Sequence, residues 1–269
     1  MRFNSFLKIS LATVSLLALA ACQTNSPINT DLTSLNSAVK RSPAFARPHN
    51  NLGLGLASYG RYGEAYRSFT KAIKASPASP SLYHNRGIIL LKQRKYSRAL
   101  TDFNKAISLN PSYDRAYVGK GNALAKLKRK TAALAQYDQA IQINRYNTEA
   151  YFRSGIIHQS RGSHRFAIVS FNKGMNFSSN SAELFFARGN SHYALRDYNS
   201  AKDDFSTASR LNPKSFDAYI RVARTSSKLG QWDDAYNAYV NAARRKSSSR
   251  EAAVGRAKAY RMVQAAKKA

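Results

Sequence analysis

The chain has 269 residues, with 43 Lys and Arg against 14 Asp and Glu, and its formal net charge of +29 sets aside cationic partners and points to nucleic acid, acidic lipid headgroups or an acidic protein surface. Length alone admits one or two globular domains. That prior gives way wherever a sequence repeats itself, because stacked repeats grow without a single core.

The chain opens on Arg2 and Lys8, followed by a largely apolar run over residues 9–21. Those thirteen residues fall short of the roughly 20 needed to cross a bilayer but suit a secretory signal. Cys22, the only cysteine, stands directly after Leu19-Ala20-Ala21. This stretch resembles the lipobox of bacterial lipoproteins, against the plainer reading of an ordinary signal peptide with a cysteine beside its cut. The resemblance implies that residues 1–21 are removed, that the Cys22 thiol receives diacylglycerol and that the new N-terminus is acylated with palmitate or a similar chain. Several acyl chains, at ~0.8 kcal/mol per buried CH₂, would hold the protein on a membrane almost permanently. Gln23 rather than Asp follows the cysteine, and the enterobacterial sorting rule then implies the outer membrane, facing the periplasm. Export weakens the nucleic-acid reading of the charge, so no nucleic-acid partner is expected. Taking Arg2 and Lys8 off the +29 leaves +27 to meet anionic lipid or acidic protein, or simply to keep the chain soluble.

Residues 22–29 are short and polar and read as a tether; the seven after Cys22 reach only ~23 Å when fully extended. Over residues 30–45, Thr30 or Asp31 can cap a helix carrying Leu32, Leu35, Ala38 and Val39 on one face. Pro43 precedes Pro77 by 34 residues, so this segment reads as the second half of a repeat, closing the N-terminal end of a stack.

Residues 46–249 then hold six copies of one unit, 46–79, 80–113, 114–147, 148–181, 182–215 and 216–249, with no insertion or deletion. A small residue recurs as Gly53, Gly87, Gly121, Gly155, Gly189 and Ala223. Twelve residues later comes Ala65, Ala99, Ala133, Ala167, Ala201 or Ala235, and four further on an aromatic: Phe69, Phe103, Tyr137, Phe171, Phe205 or Tyr239. In the second copy Tyr83, Gly87 and Leu90 share one helical stripe, and Ala99, Phe103 and Ala106 share another, with Pro111 ending the second helix. The small residues allow close helix approach and the aromatic fills the space between neighbouring units. A 34-residue period with these anchors is the signature of the tetratricopeptide repeat. The resemblance implies an all-α fold, a right-handed superhelical TPR solenoid of helix-turn-helix hairpins.

The third and fourth copies depart from the pattern. Lys130 and His164 replace the aromatic of the turn, Arg145 and Ser179 replace the closing proline, and Gly174 replaces an alanine. The joint between them is therefore expected to be the softest in the stack, exchanging amides faster over 130–179 than over 80–111. Residues 250–269 carry Ala253, Ala257 and Tyr260 among basic and polar positions, which suits a C-terminal capping helix.

No catalytic constellation stands out. Gly53-Leu-Gly55 and Gly119-Lys-Gly121 lack the rest of a phosphate loop. His158 and His192 share a position in adjacent copies, but no cysteine and no patterned carboxylate completes a zinc set. No cofactor, no metal and no enzymatic activity are expected. In tetratricopeptide proteins the concave wall is built by positions two, five, six, nine, twelve and thirteen of each repeat. Those positions here give Asn50, Asn51, His84, Asn85 and Ile88, then Arg115, Asn122, Lys126, Phe152, Arg153 and Ile156, then Phe186, Asn190, Tyr193, Arg221, Arg224 and Lys228. The asparagines can hold an extended peptide backbone, the aromatics make an apolar floor, and Arg153, Arg221 and Arg224 suit carboxylates. The carboxylate clamp of cochaperone domains is missing, since its places hold Asn50 and Leu54, then His84 and Ile88.

Lipobox, short tether and capped repeats together resemble the NlpI type of lipoprotein. That resemblance implies an adaptor that brings a periplasmic protease to cell-wall hydrolases, and a homodimer, though no residue signals the pairing. Pilus-assembly lipoproteins of the TadD or pilotin kind share the same layout. The outer-membrane assembly lipoprotein BamD is similar in size, with repeats of less regular length.

Overall fold

The structure, a computed structural model, describes residues 31–268. The signal segment, Cys22 and the tether lie outside the described residues. The described residues divide into two compact units, with the boundary between Arg145 and Tyr146. In the first, α1 (Leu32–Arg41) precedes three hairpins: α2 (Ala46–Ser58) with α3 (Tyr62–Ala75), α4 (Pro80–Lys92) with α5 (Tyr96–Leu109), and α6 (Asp114–Lys126) with α7 (Lys130–Ile143). In the second, α8 (Thr148–Ser160) pairs with α9 (His164–Met175), α10 (Ala182–Ala194) with α11 (Tyr198–Leu211), and α12 (Phe216–Lys228) with α13 (Trp232–Arg245). Helix α14 (Arg250–Ala266) closes that unit against α13. Among the described residues there is no strand.

Helix starts follow local chemistry. Asp31 accepts from the N–H groups of Thr33 and Ser34, capping α1. Asn147, Ser181, Ser215 and Ser249 each accept an N–H three residues ahead, so α8, α10, α12 and α14 begin there. Pro80 opens α4, where its missing N–H costs nothing.

The turn inside every hairpin has the same backbone. Gly60, Gly162 and Gly230 have φ of 72°, 74° and 73°, and Arg94, Lys128 and Arg196 hold equivalent places at 60°, 62° and 64°. The next residue's N–H then reaches back to the first helix, as in Arg61 to Leu56 O at 2.9 Å and Lys95 to Leu90 O at 2.8 Å. This left-handed cap closes carbonyls the first helix would leave unmet. Three of the six turns hold it with a long cationic residue instead of glycine, which sequence periodicity did not reveal.

Packing rests on the ring of each second helix. Ala65, Ala99, Ala133, Ala167, Ala201 and Ala235 are fully buried, as are Phe69, Phe103, Phe171 and Phe205. A Cβ on Gly87 would stand 2.8 Å from Phe103 Cε1, and one on Gly121 2.5 Å from Tyr137 Cε1. The small position thus exists to seat the ring of its own hairpin. Helix α9 departs from its counterparts, with 12 residues where the other second helices have 14. Gly174 near its end lies against Tyr151 and Leu184, and the N–H of Phe177 turns back to the Gly174 carbonyl.

Candidate binding face on the first helices

The residues assigned to the wall lie on α2, α4 and α6 in the first unit and on α8, α10 and α12 in the second. Within each unit neighbouring first helices touch, α4 with α6, α8 with α10, and α12 with α14. Gln159 on α8 shows how, donating to the Ala187 carbonyl at 2.7 Å and to Ser191 Oγ at 2.8 Å on α10.

In the first unit most of the assigned polar residues serve the fold. Asn85 Nδ2 donates to Asn50 Oδ1 at 3.1 Å, Asn50 Nδ2 reaches Asn51 Oδ1, and His84 Nδ1 lies 3.4 Å from Asn85 Oδ1. The His84 ring sits 5.8 Å from that of Phe103 and 5.4 Å from that of Tyr113. Asn50, His84 and Asn85 are all buried, so the expectation that these side chains reach out to a peptide is corrected. Burial demands partners, and the asparagines find them in each other. Asn122 accepts the Tyr137 hydroxyl at 2.8 Å. Ile88 is half-buried and packs on the core around Phe69 and Phe103. Asn51 and Arg115 remain half-exposed and Lys126 is exposed.

The second unit keeps more of its face available. Phe152 is half-buried with its ring 6.0 Å from Phe171, and Phe186 lies 5.5 Å from Phe205. Ile156 is 36% exposed. Tyr193 stands edge-on to Tyr198 at 5.2 Å. The cations divide by partner. Arg153 meets Glu149 one turn earlier on α8 at 3.3 Å, and lies over the Phe152 ring. Arg224 holds both oxygens of Glu251 on α14, Nη2 to Oε2 at 2.6 Å, and that hydrogen bonding raises its pKa. Arg221 lies 6.0 Å from the ring centres of Tyr193 and Phe205. Burial pushes its pKa down, and the neighbouring Arg224 adds to that. Lys228 is exposed.

Two ion pairs that sequence reasoning missed tie the first helix of a hairpin to its second. Arg86 holds Asp102 through two hydrogen bonds of 2.8 and 2.7 Å and reaches Thr70 in the preceding hairpin. Arg188 repeats this with Asp204 at 2.9 and 2.6 Å and with Asn172. Sixteen residues separate each pair, and the recurrence of that spacing in two copies was the available signal. His192 Nδ1 meets Asp197 at 2.9 Å while His158 stacks on Phe166. Among the described residues no group of three or more His, Cys, Asp or Glu is placed to hold a metal ion.

Stacked helical hairpins that present one face of half-exposed side chains define a repeat protein of the solenoid class. Tetratricopeptide-repeat family models match residues 84–148 and 182–215. A chain of the crystal structure "APC/C hetero-tetramer Cut9-Hcn1" superposes with a TM-score of 0.69 at 15% identity over 86% of this chain, which spans only 46% of that one. The structure described as "Functional Characterization of Pseudomonas Aeruginosa pilF" gives 0.68 at 18% identity, covering 81% of this chain and 99% of that one. A thermophilic tetratricopeptide-repeat protein from Thermus thermophilus gives 0.59 at 20% identity, covering 67% and 98%. No curated protein sequence matches this chain. The protein carries tetratricopeptide repeats and has the all-α solenoid fold of that class.

Proposed function

We propose that this protein is a lipid-anchored scaffold of the bacterial envelope, binding an extended segment of a partner protein along the first helices of its second unit. The observation that carries the reading is the division of labour between helices. The recurring alanine and ring positions of the second helices are spent on packing, whereas Ile156, Phe186, Asn190, Tyr193 and Arg221 on the first helices stay partly open. Apolar rings beside amide and cationic groups suit a peptide, whose backbone and side chains need both. The anchor rests on Leu19-Ala20-Ala21-Cys22, and Gln23 supports an outer-membrane destination facing the periplasm. The layout resembles NlpI-type adaptors, so the partners we infer are a periplasmic protease and cell-wall hydrolases. The protein itself is a scaffold rather than an enzyme.

Photocrosslinking residues placed singly at Ile156 and Asn190 should capture one envelope protein, while the same probe at Phe166, which is 66% exposed on a second helix, should not. Protease or hydrolase in the crosslinked band supports the adaptor role, and pilus, secretin or barrel-assembly subunits replace it with an assembly role. Capture from Phe166 alone refutes the first-helix face. Cys22→Ala should release the protein from envelope vesicles; retention of a lipid on that variant refutes the anchor.

A further inference from the structure

Away from the first-helix face, the connection between α11 and α12 and the last turns of α13 border an open cleft of about 500 Å³. Its lining is Pro213, Lys214, Asn241, Arg244 and Arg245. The volume falls within the roughly 300–1,000 Å³ usual for small-ligand sites. Three of these five residues are cations and none is an acid.

The cations are not alike. Arg245 is fixed: Nε donates to the Pro213 carbonyl, Nη1 donates to the Asn241 carbonyl, and the guanidinium stacks 3.9 Å from the centre of the Tyr219 ring. Its Nη2 has no acceptor among the described residues. Lys214 and Arg244 are exposed, and among the described residues their side chains form no ion pair and no hydrogen bond. A guanidinium held by its surroundings has little freedom left to lose, so its spare edge is preorganised for an anion.

Neither helix chemistry nor packing accounts for the group. Cations in a last helical turn answer the helix dipole and its unmet carbonyls, but Arg245 meets such a carbonyl by itself, and Lys214 lies outside the helix. Arg244 and Arg245 follow Lys214 by 30 and 31 residues. At each earlier joint of the stack the same three places hold at most one cation, Lys74 beside Ala44 and Ala75, or Arg210 beside Asn180 and Leu211. The hairpins therefore pack without this charge.

We propose that the cleft binds a phosphate monoester, with Arg245 Nη2 as the fixed donor and Lys214 and Arg244 closing on the remaining oxygens. Three cations without a lining acid favour a dianion over the single charge of a carboxylate. The site depends neither on the first-helix wall nor on the anchor at Cys22.

Titration of the full chain with glycerol 3-phosphate at neutral pH, read from the Arg245 Nε–H and Lys214 amide resonances, tests it. Both signals should move and saturate. Lys214→Gln and Arg244→Gln should each weaken binding about tenfold or more, the loss of one charge-assisted contact. Lys173→Gln, which removes an equal charge from an exposed site on α9 outside the cleft, should leave the affinity unchanged. No saturable shift, equal weakening by Lys173→Gln, or acetate bound as tightly as the phosphate ester overturns the proposal. The melting temperatures of Lys214→Gln and Arg244→Gln should match the parent; a clear fall would give these side chains a structural role instead. Phosphatidylcholine vesicles doped with phosphatidic acid identify the source of the phosphate. Vesicle binding weakened by Lys214→Gln and Arg244→Gln but not by Lys173→Gln assigns a lipid headgroup. Vesicle binding indifferent to all three, with glycerol 3-phosphate still held, assigns a soluble phosphate ester.

Discussion

Gly87→Ala tests the packing logic of the hairpins, because helix propensity and steric fit pull in opposite directions. In an open helix position the exchange would stabilise by about 0.5–1 kcal/mol. Here the new methyl would stand 2.8, 3.0 and 3.1 Å from Cε1, Cζ and Cδ1 of Phe103. The ring cannot retreat, since it is fully buried and a Cβ on Gly119, across it on α6, would meet the same ring edge. Overpacking of this kind costs about 1–3 kcal/mol, so the net effect is a loss of up to roughly 2.5 kcal/mol once the propensity gain is set against it. Gly63→Ala is the matched control. Nothing lies within 4 Å of its Cβ position in α3, so that variant should gain stability. Urea unfolding followed by circular dichroism reads both midpoints, and Gly87→Ala combined with Phe103→Leu should recover part of the loss. A higher midpoint for Gly87→Ala would refute the claim that the ring dictates the small residue.

Other outcomes follow from the same geometry. Arg94→Gly, Lys128→Gly and Arg196→Gly relieve left-handed backbone at φ near 60°, and each should add up to about 1 kcal/mol after the extra freedom of the unfolded chain is allowed for; thermal melts of the triple variant check the sum. Asp102→Ala leaves the Arg86 guanidinium half-buried without its carboxylate and should cost about 2–3 kcal/mol, below the full cost for a wholly buried pair because the arginine keeps some solvent. The exposed Arg61–Glu64 pair should tolerate Glu64→Ala with no measurable change in midpoint. Asp197→Ala removes the cap of α11 and should cost about 0.5–2 kcal/mol at neutral pH. The Ser200 hydroxyl, more than His192, holds the Asp197 carboxyl below its usual pKa. The cap's contribution is therefore complete above roughly pH 4, the ordinary Asp value, and fades as pH falls through the lower folded value. Variant and parent should converge in acid, and a gap that persists there refutes the carboxylate's part.

The solenoid fold was legible because it is a matter of period. Gly87, Ala99 and Phe103 return in each copy with the same spacing, and a ring that must enter a neighbouring helix leaves no freedom in that spacing. The face positions followed from the same register, since first-helix residues recur with it. What each face residue is free to do was decided in three dimensions. Asn50 and Asn85 lie 35 residues apart and Arg224 and Glu251 27 apart, and no pattern along the chain says that they meet. Composition counted Arg153, Arg221 and Arg224 as equal cations, and only packing shows that two form ion pairs with acids of this same protein while the third lies over aromatic rings. Hydrophobic and helical periodicity is written in local order, whereas the pairing of polar groups depends on which helices come to lie side by side.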